Sequence, residues 1–161
     1  MFHNNLSHAL TYINSGDKVY VMPGLYSCQT LPWIETDIEI NGFGGPNDQI
    51  ILESSDSVGD IFVNCNSKSV AFNGLTLRAT SELQCLVMIH SGSVSFTDCV
   101  LDGTNQTRNA LIALSKAKVQ IENCKIINEK GNKIVSRKGS VVINRDDIQM
   151  DLNGDGIDKS S

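Results

Sequence analysis

One stretch, residues 69 to 126, limits what this chain can fold into. It says nearly the same thing three times. Ser69-Val70-Ala71-Phe72-Asn73-Gly74-Leu75-Thr76-Leu77 is followed by Ser93-Val94-Ser95-Phe96-Thr97-Asp98-Cys99-Val100-Leu101, then by Lys118-Val119-Gln120-Ile121-Glu122-Asn123-Cys124-Lys125-Ile126. The copies begin 24 and 25 residues apart. An earlier copy starts at Asp37 (Ile38, Ile40, then Asn41-Gly42-Phe43), and a weaker one starts at Ser140, with Val141, Ile143 and Ile148 on the repeat positions. A period in the twenties with period-2 alternation inside each unit predicts a β-solenoid.

Within a unit, positions two and four are apolar: Ile38/Ile40, Val70/Phe72, Val94/Phe96, Val119/Ile121 and Val141/Ile143. That is a strand with one buried face. Positions five and six are corner formers: Asn41-Gly42, Asn73-Gly74, Thr97-Asp98 and Glu122-Asn123. Gly and Asn accept the left-handed backbone that a tight corner needs. Positions seven and nine then point inward: Leu75/Leu77, Cys99/Leu101 and Cys124/Ile126. One unit cannot bury this face alone, so units stack at a ~4.8 Å spacing with parallel pairing. Corner residues such as Asp98 and Asn123 are then expected to form a polar ladder rather than a catalytic pair.

A second apolar run separates the units: Ile61-Phe62-Val63, Leu86-Val87-Met88-Ile89, Ala110-Leu111-Ile112-Ala113-Leu114 and Ile134-Val135. The expected architecture is therefore all-β: a right-handed parallel β-helix of about five coils, its hand following the crossover rule. The whole chain, 1–161, reads as a single domain. Residues 1–16 are expected to form a capping helix, with Leu6, Ala9, Leu10 and Ile13 on one face, Asn4 or Asn5 as its cap and Gly16 as its stop. Coils run over 17–148, and 149–161 form an acidic tail or a C-terminal cap. Asp146 falls on an inward position where a carboxylate cannot stay buried unpaired, so the solenoid is expected to open, end or shift register there. Asp151 to Asp158 resembles half of a calcium loop but lacks the position-twelve acid, so no metal and no cofactor is expected.

The net charge of −5 argues against a nucleic-acid partner. No apolar stretch reaches the ~18 residues of a membrane span. Residues 1–5 lack a basic n-region, so a signal peptide is not expected. Five cysteines include Cys99 and Cys124 at one inward position of adjacent coils, close enough to bond but expected as stacked, buried, reduced thiols in a reducing compartment.

Three segments carry a resemblance: Gly42 to Ile50, Gly59-Asp60-Ile61-Phe62-Val63-Asn64-Cys65, and Val87-Met88-Ile89-His90-Ser91-Gly92. With the Val-x-Phe/Ile-x-Asp/Asn-Cys coils, they make the chain similar to the pectate-lyase-like β-helix superfamily and, within it, to the SHC-binding protein and nessun dorma family. The resemblance implies a cytoplasmic, non-catalytic scaffold acting in cytokinesis with the centralspindlin complex, at the midbody, intercellular bridge or spindle, with carbohydrate binding as a further property.

The alternative is a polysaccharide lyase or glycoside hydrolase, because this architecture hosts those too. Such enzymes need clustered carboxylates on one face. The outward positions of the regular coils read Ala71, Ser95, Gln120 and Thr76, Val100, Lys125, none of them acidic. A contact surface is expected where runs are apolar on both faces. With Leu86, Met88, Leu111 and Ala113 inward, Val87, Ile89, Ile112 and Leu114 form an exposed stripe flanked by His90 and Ser115. The opposite parity would place those residues in the core. Trp33, the only tryptophan, is expected in a loop, packing there or offering its ring to a sugar.

Overall fold

The computed structural model describes residues 6–28, 31–45, 47–55, 61–104 and 107–145. Asn4, Asn5, Asp146 and the calcium-like stretch at 151–158 lie outside these residues.

The chain starts with a short helix, α1 (Leu6–Leu10), followed by β1 (Lys18–Val21), β2 (Gly24–Cys28), β3 (Ile38–Gly42), β4 (Ile50–Ser54) and β5 (Ile61–Asn73). Then come β6 (Thr76–Arg78), β7 (Leu83–Thr97), β8 (Val100–Asp102), β9 (Thr107–Ala113), β10 (Lys118–Glu122), β11 (Lys125–Ile127), β12 (Asn132–Ser136) and β13 (Val141–Asn144). All strand pairs are parallel. One sheet runs β1-β3-β5-β7-β10-β13, with β9 and β12 branching from β7; the other runs β11-β8-β6-β4-β2. The result is a β-solenoid of about five turns.

The register follows the repeat. Val19 pairs with Ile40, Ile40 with Phe72, Phe72 with Phe96, and Phe96 with Ile121. Phe72 and Phe96 stack at 5.0 Å, with planes 7° apart. Leu52, Leu77, Leu101 and Ile126 form the matching row across the core, each essentially without solvent contact. Each such side chain contributes ~1.5–3 kcal/mol by leaving water. The corner behaves as the pattern demands. Gly74, Asp98 and Asn123 all take a left-handed φ (69°, 56° and 52°). The side chains there ladder between coils: Asn73 Nδ2 donates to Asn41 Oδ1 (2.8 Å) and Asn123 Nδ2 to Asp98 Oδ1 (2.5 Å).

Cys65, Cys85, Cys99 and Cys124 are buried free thiols. Cys99 Sγ donates to the Phe72 carbonyl and Cys124 Sγ to the Phe96 carbonyl, each at 3.3 Å. Contact with Cys124, then burial, pushes the Cys99 pKa up, and burial alone pushes Cys65 up to about 12. These thiols pack as small apolar groups, as expected.

Three expectations are corrected. First, the helix ends at Leu10, not Gly16; Leu6 and Leu10 enter the core, while Gly16, at φ 89°, begins the turn into β1 and donates its N–H to the Asp37 carbonyl. Second, the last coil is displaced by one residue. Val142, not Val141, pairs with Val119, so Val141 and Ile143 point outward, 49% and 44% exposed. Asn144 takes the position opposite Ile121, and a polar residue at an inward site marks the end of the dry core.

Third, the stripe Val87, Ile89, Ile112 and Leu114 is not exposed. Val87 and Ile89 are fully buried in the main core, paired with Leu111 and Ala113. Ile112 belongs to a separate buried cluster with Met88, Val135 and Cys85, against which half-buried Leu114 and Ile61 pack. Both faces of these strands are buried, so a two-sided apolar run did not mean an open surface.

Candidate functional site

The repeat breaks in one place, and the break makes the site. Between β5 and β7, Cys65 pairs with Ile89, Asn66 with Ser91 and Ser69 with Ser93. His90 is therefore an extra residue on β7, and Ser67-Lys68 together oppose the single Gly92. Such bulges bend a strand and re-aim its side chains. Gly92 is required here: its φ is 82°, and a Cβ would fall 1.7 Å from the Ser67 carbonyl oxygen.

A segment from the second coil lies along this bend. Leu31 N–H donates to the Phe62 carbonyl (3.0 Å), Ile34 N–H to Asn64 (2.9 Å), and Asn66 N–H back to Ile34 (2.9 Å). Ile34 is buried, so its neighbours Trp33 and Glu35 face outward, as alternation in an extended segment requires. Trp33 stacks on His90 with ring centroids 4.4 Å apart and planes 21° apart, and half of the tryptophan stays exposed. His90 Nε2–H donates to the Oδ1 of buried Asn64 at 2.9 Å, which fixes the ring. Burial lowers the His90 pKa, so the ring is neutral at pH 7.

Beside this platform is a polar cleft of about 530 Å³, lined by Ser15, Glu35, Thr36, Asp37, Asn66, Ser67, Lys68, Ser91 and Gly92. Asp37 is set in place by the Ser67 hydroxyl and the Ser69 N–H (3.0 Å), both on Oδ1. Those two bonds, in that order, and then the charge and N–H of Lys68, hold its carboxyl below the usual range. Ser91 Oγ donates to Asn66 Oδ1 at 2.6 Å. An anchored carboxylate, a rigid aromatic face and several hydroxyl and amide groups are the kinds of group from which recognition sites are built. Among the described residues no cluster of metal-ligating side chains occurs, and no helix is long and apolar enough to cross a membrane.

Of the six residues expected to form the contact surface, only His90 lies here. Val87 and Ile89 are core, Ile112 and Leu114 belong to the second cluster, and Ser115 sits exposed in the turn after β9 at φ 49°. Sequence reasoning missed Asp37, Asn64, Asn66 and Gly92. The signal available was local: polar Asn64 and Asn66 interrupt an apolar strand, and Gly92 stands where the repeat expects no glycine.

No family model matches the chain, and no solved structure matches it. Among curated proteins, it is 35% identical over 100 residues to SHC SH2 domain-binding protein 1 homolog B of Xenopus laevis, covering 62% of this chain and 14% of that protein. It is 29% identical over 139 residues to SHC SH2 domain-binding protein 1 of Mus musculus, covering 86% of this chain and 20% of the relative. The Homo sapiens protein of the same name is 28% identical over 139 residues. The chain thus spans 14 to 20% of the length of these relatives.

Proposed function

We propose that this solenoid is a non-catalytic, protein-binding scaffold module, with the Trp33–His90 platform and its cleft as the contact surface. The observation that carries the reading is the similarity to proteins named for binding the SH2 domain of SHC, over 86% of this chain in the mouse protein. By that likeness the partner is SHC. By the wider resemblance the setting is cytoplasmic, in cytokinesis with centralspindlin at the midbody, and the fold's kinship is with the pectate-lyase-like superfamily.

The chemistry of the surface supports binding over catalysis. Glu53 is held by Arg78 (2.7 Å) and by the Ser27 hydroxyl (2.7 Å), which lower its pKa, and Asp98 is part of the corner ladder. The outward positions Ala71, Ser95, Gln120 and Thr76, Val100, Lys125 carry no acid; the first row reaches one only at Glu39, opposite Ala71. Of the two cleft carboxylates, Glu35 and Asp37, the second is tied to Ser67 and Ser69. A lyase or hydrolase would need a carboxylate cluster there.

One observation favours a second reading, a glycan on the same platform. A half-exposed tryptophan beside hydroxyl and amide groups suits the apolar face and polar rim of a sugar.

The test is direct binding of purified SHC SH2 domain, and immunoblotting for centralspindlin subunits after pull-down from dividing cells, with wild type and Trp33→Ala. Capture that depends on Trp33 is expected. Equal capture by both proteins moves the contact elsewhere. Release of unsaturated or reducing sugars from acidic or galactose-containing polysaccharides would overturn the non-catalytic reading.

A further inference from the structure

We infer that the cleft takes an arginine side chain of the protein partner, its guanidinium lying against Trp33 and reaching the Glu35 and Asp37 carboxylates. This rests on the protein-binding reading above and names the chemistry it would recognise.

Charge comes first. The cleft carries two carboxylates, Glu35 and Asp37, against one lysine, Lys68. It therefore favours a cation over a phosphate or a carboxylate. Asp37 is ionised and aimed: the Ser67 hydroxyl and the Ser69 N–H donate to its Oδ1, and the Lys68 charge and N–H also favour the carboxylate form. An acceptor that needs no reorganisation costs little to engage.

Trp33 and Glu35 flank buried Ile34 and project to the same side, ~7 Å apart along an extended segment. That spacing matches a planar cation that covers an aromatic face while donating at its edge. Guanidinium does both at once, whereas an ammonium is a compact point charge with no flat face. The wall behind Trp33 is a neutral imidazole, locked by Asn64, so it adds no positive charge to oppose the guest. A neutral sugar would use the ring and the hydroxyls but has no cation to meet the two acids. The cleft thus suits arginine better than a glycan.

The experiment uses the whole chain and two capped pentapeptides, Gly-Ser-Arg-Ser-Gly and the same sequence with citrulline for arginine. Trp33 is the only tryptophan, so its emission reports the site without a label. The arginine peptide should shift the emission and saturate, with the citrulline peptide about tenfold weaker or more, since it keeps the shape but loses the charge. Glu35→Gln, an exposed change, should weaken arginine binding at an unaltered melting temperature, and added salt should weaken it further. Asp37→Asn should do the same; if it unfolds the corner, Glu35→Gln still decides. Equal binding of the two peptides, or no response to either, overturns the inference. So does a neutral galacto-oligosaccharide that moves the emission when the arginine peptide does not. If SHC or centralspindlin capture still depends on Trp33 while arginine is ignored, the scaffold reading stands and only this inference falls.

Discussion

The two long strands β5 and β7 each contain both kinds of structure found in this molecule. Their C-terminal halves, Ser69–Asn73 and Ser93–Thr97, pair residue for residue with each other, and the second pairs in the same way with β10. Their middles, around Asn66 and His90 to Gly92, do not stay in register. In the first region every side chain is dictated by its counterparts one coil above and below. In the second, extra residues have no counterpart, so they turn outward and meet a segment from a distant part of the chain. The repeat supplies stability, and the lapses in the repeat supply the candidate site. Bulges are tolerated because the paired halves on either side hold the register.

The largest effect should separate core from surface. Ile89→Asp places a charge in a fully buried position and should abolish folding, seen as loss of the cooperative melt and of the β signal in far-ultraviolet dichroism. Leu114→Asp, in a half-buried position, should leave a folded protein. If both variants fold equally well, the parity described for β7 is wrong.

Next comes the bulge itself. Gly92→Ala forces a left-handed φ on alanine and a clash with Ser67, and should cost at least ~1–3 kcal/mol in chemical denaturation. It should also change Trp33 emission, because it disturbs the strand that carries His90. A silent Gly92→Ala would mean that the irregular region is not held by this contact.

A smaller loss is expected in the regular region. Asn123→Ala removes one ladder bond and a residue suited to φ 52°, and should cost ~1–2 kcal/mol. Asn123→Gly should recover part of that loss through the backbone alone. If Gly is no better than Ala, the side-chain bond and not the left-handed corner dominates.

The smallest effect is a pH dependence confined to the site. Burial lowers the folded pKa of His90 below the ~6.5 of an unfolded histidine. Between those two values the unfolded chain binds more protons, so stability rises with pH across that window. Acidification should therefore weaken the protein modestly as pH falls below ~6.5, levelling off below the folded pKa. Trp33 emission should follow the same transition, and His90→Gln should remove it. An emission profile that stays flat through that window in wild type would show that the two rings are not coupled.

Much of this could be read from the residues in order. Val70/Phe72, Val94/Phe96 and Val119/Ile121 show a clean two-residue alternation, so their inward face, the parallel stacking and the left-handed corner at Gly74, Asp98 and Asn123 follow from local rules applied over and over. The stacked thiols Cys99 and Cys124 follow for the same reason. The runs at 86–89 and 110–114 gave no such answer. They are apolar at every position, so alternation carries no information about which side is inside.

What the sequence by itself determined, then, is the solenoid: a repeated one-sided apolar pattern can be buried only by stacking copies of itself. What only the tertiary structure decided is the parity of the two-sided runs, the one-residue displacement of the last coil, and the site. Parity depends on where bulges fall between coils, and a bulge is a relation between two strands rather than a property of either. Trp33 and His90 meet because a segment of the second coil runs along β5 at its bend, and neither residue belongs to a repeated position. A contact made once, between residues far apart in the chain, leaves no period to read.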